Sequence, residues 1–267
     1  MTAPALDISE PTDYSPEPPA LMLYGDPGSG KTTTATRALR PYFIRAEHGC
    51  PTYVKIGDTR KHMPGFPKHG AAPDWASILW ACDDLISHKH DRKTLVIDTV
   101  NAAVDLCKDH VLKKSFGGSI QEFSNYSKGQ GFVNEEWRKL LTKMETLRSQ
   151  GILIIFLAHE GLVKQSNAHG EDYWQTGGSV YKGVWGTTSA FCDQVGNITK
   201  KTVVVKDGFK GKARGGNERV IIFEGTPSRC AKSNQNFEMP SEIACSWDSY
   251  LKANEGNEWL SHYYGDK

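Results

Sequence analysis

The stretch "LMLYGDPGSGKTTTATRAL" (21–39) constrains this chain more than any other. Within it, Gly25–Thr32 reads G-x-x-x-x-G-K-T. An apolar strand over Leu21–Tyr24 runs into the glycines, and a helix is predicted over Thr32–Arg40. The glycines let backbone N–H groups turn inward, because no Cβ blocks a close approach. Inward N–H groups and a helix start together cradle an anion. On this spacing Gly25, Asp26, Pro27, Gly28, Ser29, Gly30, Lys31, Thr32 and Thr33 would surround a polyphosphate. Lys31 would reach its β/γ end, and the Thr32 hydroxyl would sit on Mg²⁺. A chance glycine-rich turn would not also carry the strand, the helix and every required side chain. The expected ligands are ATP, or another nucleoside triphosphate, and Mg²⁺; the base is not readable from this loop.

Strands and helices alternate beyond the loop. "YFIRA" (42–46) is a second strand. "DWASILWACDDLISHK" (74–89) has Asp74 as a capping residue and apolar residues at helical spacing. "TLVIDT" (94–99) is a buried strand, followed by a helix to about Lys114. "SFGGSIQEFSNYSKGQGF" (115–132) has no period and is expected to be a mobile loop. "VNEEWRKLLTKMETLRSQ" (133–150) is an amphipathic helix, and "GILIIFLAH" (151–159) is the most apolar strand. A second aperiodic stretch covers 160–179. From about 192 short strands and turns take over, with "KTVVV" and "RVIIF" flanking a basic tip. "SWDSYLKANEGNEWLSHYY" reads as one C-terminal helix. Repeated β-α units predict an α/β fold with a mostly parallel sheet, helices on both faces and ligands at the carboxyl ends of the strands. The expected organisation is a flexible proline-rich arm (1–19), a core (20–245) with an antiparallel β-hairpin extension, and a C-terminal helix or tail (246–267).

At 267 residues one large core can be buried. A formal net charge of +1 with 24% charged residues gives no global field that points to a partner, so local patches must carry that argument. The six cysteines are scattered without a C-x-x-C pair, which argues against a disulfide framework or a zinc ribbon. Cys107 with His110, and His48 with Cys50, lack further ligands at matching spacing. No apolar run is long enough for a membrane span, and the N-terminus does not read as a signal peptide. A cytoplasmic compartment is the expectation.

Two carboxylates stand at predicted strand ends. Asp98 closes "TLVIDT", where it suits the second shell of Mg²⁺ opposite Thr32. The competing role for Asp98 or Thr99 is to cap the next helix. Glu47 follows "YFIRA" and would project toward the γ-phosphate to orient or deprotonate water. The bland alternative is a solvated loop glutamate.

"FIRAEH" (43–48) resembles the segment that carries the catalytic glutamate of RecA-type recombinases. "LVIDTVNAA" (95–103) resembles their metal-aspartate strand, and "LIIFLAH" (153–159) the strand that ends in their γ-phosphate sensor. "QTGGSVYKGVW" (175–185) resembles the end of their second DNA-binding loop and the helix after it. The matches fall in order over roughly residues 20–235. Compact phage-encoded RecA-core ATPases of the single-strand annealing type are the nearest likeness, since no RecA-like assembly domain precedes the first strand and no second DNA-binding domain follows. The resemblance implies a RecA-like P-loop NTPase core, with Glu47 activating water, Asp98 holding metal and Lys31 at the phosphates. His159 stands where RecA has glutamine, and histidine both donates to phosphate and titrates near neutrality. Lys232 in "RCAKSNQ" resembles a lysine that reaches ATP from an adjacent subunit, although Asn234 replaces a second lysine there. An exposed lysine without that task is an equal reading.

In such cores single-stranded DNA runs along two loops, here 115–132 and 160–179. The first offers Lys113, Lys114, Phe116, Phe123, Tyr126 and Lys128; the second offers Lys164, Asn167, His169, Tyr173 and Trp174. Aromatics that stack on bases beside lysines that neutralise phosphates suit sequence-tolerant strand binding. The basic segment 200–219, with Lys210, Lys212 and Arg214, is a secondary DNA or subunit contact; otherwise it is a solvated hairpin whose charges block edge pairing. The leading expectation is a DNA-stimulated ATPase that promotes annealing or recombination. It would assemble as a ring or filament with ATP between subunits, and a single-strand binding protein is a further partner. The alternatives are a small-molecule phosphotransferase, a DNA-binding module in which ATP is structural, and a helicase or packaging-type motor.

Overall fold

Leu21, Met22, Leu23 and Tyr24 are apolar without alternation, as a strand covered on both faces requires. In the computed structural model they lie in β1 (Ala20–Gly25), whose six residues are all buried. The structure describes residues 16–56, 58–125, 128–167, 170–207 and 210–265, with backbone only for Ile56, 202–207 and 210–215. β1 is central. It pairs in parallel with β7 (Leu153–Gln165) on one side and β9 (Gln194–Asp207) on the other. β6 (Thr94–Asp98), β2 (Pro41–Arg45) and β5 (Gly65–Phe66) continue the parallel half from β7. Beyond β9 the sheet turns antiparallel through β10 (Lys210–Ile222) and β12 (Glu242–Ala244), and the short β11 (Lys232–Ser233) also pairs antiparallel with β9. The predicted mostly parallel α/β sheet with an antiparallel extension is therefore the observed one. A separate two-stranded sheet pairs β3 (Tyr53–Ile56) with β4 (Thr59–His62).

Alternate residues of each central strand feed opposite cores. Ala20, Met22 and Tyr24 join Ile154, Phe156, Leu95 and Ile97 under α2 (Trp75–Ser87), α3 (Val100–Phe116), α5 (Lys128–Ser149) and α6 (Lys182–Phe191). Leu21 and Leu23 join Ile155, Leu157 and Ile198 with α1 (Lys31–Ala35), α7 (Trp247–Ala253) and α8 (Glu258–Tyr264) on the other face. Asp74 caps α2, its carboxylate accepting from the Ser77 N–H.

In place of the short strands expected from about 192, β9 and β10 are long, 14 and 13 residues. Four further elements depart from the sequence reading. The helix predicted over Thr32–Arg40 stops at Ala35, where i→i−3 bonds from Arg37 and Ala38 tighten the chain into turns before Pro41. Three β-branched threonines in a row favour helix weakly. The loop expected at 115–132 is largely helical: α3 runs to Phe116, α4 spans Ile120–Ser124 and α5 begins at Lys128. Gly129 sits inside α5 because the Phe123 ring occupies the space where a Cβ would lie, 2.4 Å from the nearest ring carbon. Phe116 and Phe123 meet edge-on and are buried, so neither is open to a base. The stretch 160–179 is mostly strand: β7 continues to Gln165 and folds back as β8 (Tyr173–Gly178), with Lys164 opposite Trp174. The single C-terminal helix is two, broken at Gly256 with φ 97°.

Candidate active site

Strand register brings the sequence-predicted residues to one edge. Gly25 is level with His159, and Asp98 is level with both Leu157 and Arg45. Glu47 lies two residues past Arg45, as His159 lies two past Leu157. Together they ring a cavity of about 320 Å³ lined by Gly28, Lys31, Thr32, Glu47, Asp98 and His159, with Thr99 and Arg219.

Gly28 and Gly30 have φ 75° and 108°, the left-handed region that glycine enters at no steric cost. Lys31 is 5% exposed, and its ammonium donates to the carbonyls of Gly25 and Asp26 at 2.8 and 2.9 Å. Burial lowers its pKa, opposed by the nearby Asp98 and Glu47 carboxylates. The Ser29 hydroxyl is buried and has no hydrogen-bond partner among the described residues. An orphaned donor inside a concave, glycine-shaped loop fits an anionic ligand. With only five residues, α1 supplies little macrodipole, so the cradle rests on loop N–H groups and Lys31 rather than on the longer helix foreseen.

Thr32 Oγ1 donates to Asp98 Oδ2 at 2.9 Å across β7. Asp98 is 2% exposed, and burial pushes its carboxyl above the ordinary carboxylate range. The capping role falls to Thr99, whose hydroxyl accepts from the Ala102 N–H and leaves Asp98 free for the cavity. A hydroxyl beside a carboxylate is the hard-oxygen donor set that Mg²⁺ takes. Cys50 also approaches: Glu47, Cys50 and Asp98 each bring one ligand atom within 4.8 Å of the others. The Cys50 thiol donates to the Asp98 carbonyl, and burial raises its pKa, so it stays protonated and Mg²⁺ would draw on oxygens instead.

Glu47 is not a free loop carboxylate. Its Oε2 accepts from Thr99 Oγ1 at 2.9 Å and lies 3.3 Å from His159 Nε2. A proton on His159 Nε2 satisfies the pair, and among the described residues its buried Nδ1 has no hydrogen-bond partner. Asn101 fixes the strand beneath: its Oδ1 accepts from the His159 N–H, and its amide donates to the Ser179 carbonyl. Thr99 and Asn101 follow Asp98 directly in "VIDTVNAA" and carry that much signal. Arg219 reaches the cavity through folding alone, and Cys50 comes up beside Glu47 and Asp98 without lining it.

A family model described as an AAA domain matches residues 17–234. The chain belongs to the AAA domain family. Nucleotide-binding, ATPase-type chemistry comes with that membership, and it agrees with the loop, Lys31 and the Thr32–Asp98 pair. No curated protein matches the chain. The match ends at residue 234, before α7 and α8.

The remaining predicted residues of this AAA domain lie away from the cavity. Lys232 pairs with Val195 on β9, three residues before the Ile198 level of Gly25, and its ammonium donates to the Ala190 carbonyl at 3.4 Å. Lys128 is exposed at the start of α5. Trp174 is 59% exposed and Tyr173 39% on β8, and Lys164 pairs with Asp172 at 3.0 Å. Tyr126 and His169 lie outside the described residues, as do the side chains of Lys206, Lys210, Lys212 and Arg214. The two segments expected to hold DNA flank a groove of about 680 Å³, but Asp105 and Asp109 outnumber Lys108 in its lining, while Lys164 and Trp174 stand outside it. Among the described residues, no helix is long and apolar enough to cross a membrane.

Proposed function

We propose that this AAA domain hydrolyses ATP and couples that turnover to single-stranded DNA, as an annealing or recombination protein of the RecA-core type. The carrying observation is the placement of Glu47. It faces the same cavity as Lys31, Thr32 and Asp98, and it is aimed by Thr99 and His159. In this reading the loop N–H groups and Lys31 hold the polyphosphate, and Thr32 and Asp98 hold Mg²⁺. The metal, when bound, neutralises charge on the phosphates. Glu47 accepts a proton from water, and His159 steadies the carboxylate that does so.

The DNA assignment rests on β7. One continuous strand carries His159 at the cavity and Lys164 on the projecting β7–β8 hairpin. Five residues of strand span about 16 Å, so displacement at one end moves the other. Exposed Trp174 offers a stacking face beside Lys164. The negative lining of the groove repels a phosphate backbone, which favours the outer hairpin as the DNA surface. Assembly into a ring or filament, with Lys232 reaching the ATP of a neighbour, belongs to this reading, since Lys232 does not reach the cavity of its own protomer.

ATP turnover measured with and without single-stranded DNA tests the reading, with Lys31→Ala as the control. Turnover that rises with DNA and is lost in Lys31→Ala supports it. Normal turnover in Lys31→Ala would remove the loop from the reaction. Turnover indifferent to DNA would favour a small-molecule phosphotransferase, and DNA unwinding would favour a motor.

A further inference from the structure

We propose that Arg219 is a phosphate-binding residue of the same protomer, closing the nucleotide cavity from the side opposite Glu47. The inference rests on the nucleotide reading above and deepens it.

β10 runs antiparallel to β9, and Ile221, Ile198 and Gly25 share one level in the sheet. Arg219 stands two residues further along β10, about 7 Å beyond the carboxyl edge of β1. Its side chain lies back over the loop: Nη1 is 3.5 Å, and Cδ 3.9 Å, from where a Cβ on Gly30 would be. It lines the same cavity as Lys31 and Thr33. The backbone is anchored there, because the Cys245 N–H donates to the Arg219 carbonyl and the Cys245 thiol meets Thr34 of α1.

The charges around it point to an anion. An exposed arginine without a partner is ordinary; one laid against a phosphate loop beside a buried lysine is not. Among the described residues no carboxylate pairs with its guanidinium. The Cys245 thiol beside it is held neutral by burial. Lys31 and Arg219 line one cavity, with Arg219 reaching it from the β10 side of the sheet and Asp98 and Glu47 from the β6 and β2 side. A cavity arranged this way suits a polyphosphate held by Lys31 and Arg219, with its cation on the carboxylate side. The planar guanidinium donates bidentately to phosphate, which an ammonium cannot do.

The test is equilibrium binding of a fluorescent ATP analogue, with ATP, ADP and inorganic tripolyphosphate as competitors. Wild type, Arg219→Ala, Arg219→Lys and Lys31→Ala are compared at fixed salt. Arg219→Ala is expected to weaken ATP and tripolyphosphate about 10- to 100-fold, the range for loss of a charge-assisted hydrogen bond. Arg219→Lys should recover part of it. The ligand-free melting temperature should not move, since the side chain is exposed. Wild-type affinity in Arg219→Ala overturns the proposal while leaving the nucleotide reading intact. A loss for ATP but not for tripolyphosphate also overturns it, by assigning Arg219 to the nucleoside. Failure of wild type to bind ATP at all, with Lys31→Ala no different, sinks the nucleotide reading and this inference with it.

Discussion

The placement of Asp98 does not favour stability at neutral pH. It is buried at a strand end, and desolvation raises its pKa even though Thr32 donates to it. The folded chain therefore holds this proton more tightly than the unfolded chain does. The stability so contributed is present below the ordinary aspartate value and is lost as pH rises through the raised value. Asp98→Asn removes the titration and keeps an acceptor for Thr32. At neutral pH without Mg²⁺, its urea midpoint should equal or exceed wild type, and the difference should vanish on acidification. Its Mg²⁺-dependent ATP turnover should nevertheless collapse. A clearly lower midpoint at pH 7 would mean that the carboxylate is structural. Glu47→Gln separates catalysis from binding. It keeps the hydrogen bond from Thr99 and loses the base, so turnover should fall about 10²- to 10⁴-fold with ATP affinity kept. Near-wild-type turnover would assign the water to another residue. Gly25–Thr32 is legible because its chemistry is contiguous, Asp98 because it ends an apolar run, and Glu47 because it follows the strand "YFIRA". Arg219 is not: only the β9–β10 pairing carries it from a basic hairpin to the loop.

At the scale of elements, the glycine-rich segments misled most. Glycine breaks a helical pattern in sequence, yet Gly129 is tolerated in α5 because Phe123 fills its side. The β7–β8 hairpin was obscured for a different reason. Its two strands are half-exposed, with polar and apolar residues mixed, so neither period stands out. The central strands, buried on both faces, were read correctly from continuous apolar runs. The hairpin makes a quantitative prediction. Trp174→Ala should weaken single-strand binding by about 1–3 kcal/mol, the worth of one base–aromatic stack. Lys164→Ala should lower affinity for all sequences alike and flatten the salt dependence by about one phosphate contact. Both should bind ATP normally without DNA, because neither lines the cavity. Binding across a salt series with a slowly hydrolysed ATP analogue decides it. Wild-type affinity and slope in both variants would remove this hairpin as the DNA surface.

At the scale of the whole molecule, residues remote in sequence hold the phosphate-loop face together. Trp247, Tyr250, Trp259 and Tyr263 are buried against Leu21, Leu23 and Ile155, so α7 and α8 cover the same side of the sheet as α1. The sequence showed the aromatic content of this segment but not its destination, since amphipathic spacing cannot say which face it covers. Tyr263 fixes the join. Its hydroxyl accepts from the Leu39 N–H at 2.9 Å, in the turn after α1, and hydrogen-bonds Thr94 Oγ1 at the start of β6. Tyr263→Phe would leave the half-buried Leu39 N–H without its acceptor, a loss of about 1 kcal/mol. The ring itself would still fill its place beside Trp259. A lower urea midpoint with an unchanged slope is the expected result. Nucleotide affinity should stay at wild type wherever the fold persists, because Tyr263 lies outside the cavity. An unchanged midpoint would show that water replaces the hydroxyl and that α8 is not fastened to the loop side through this residue. A midpoint loss accompanied by weaker ATP binding in the folded state would instead mean that the turn after α1 transmits its position to Lys31 and Thr32.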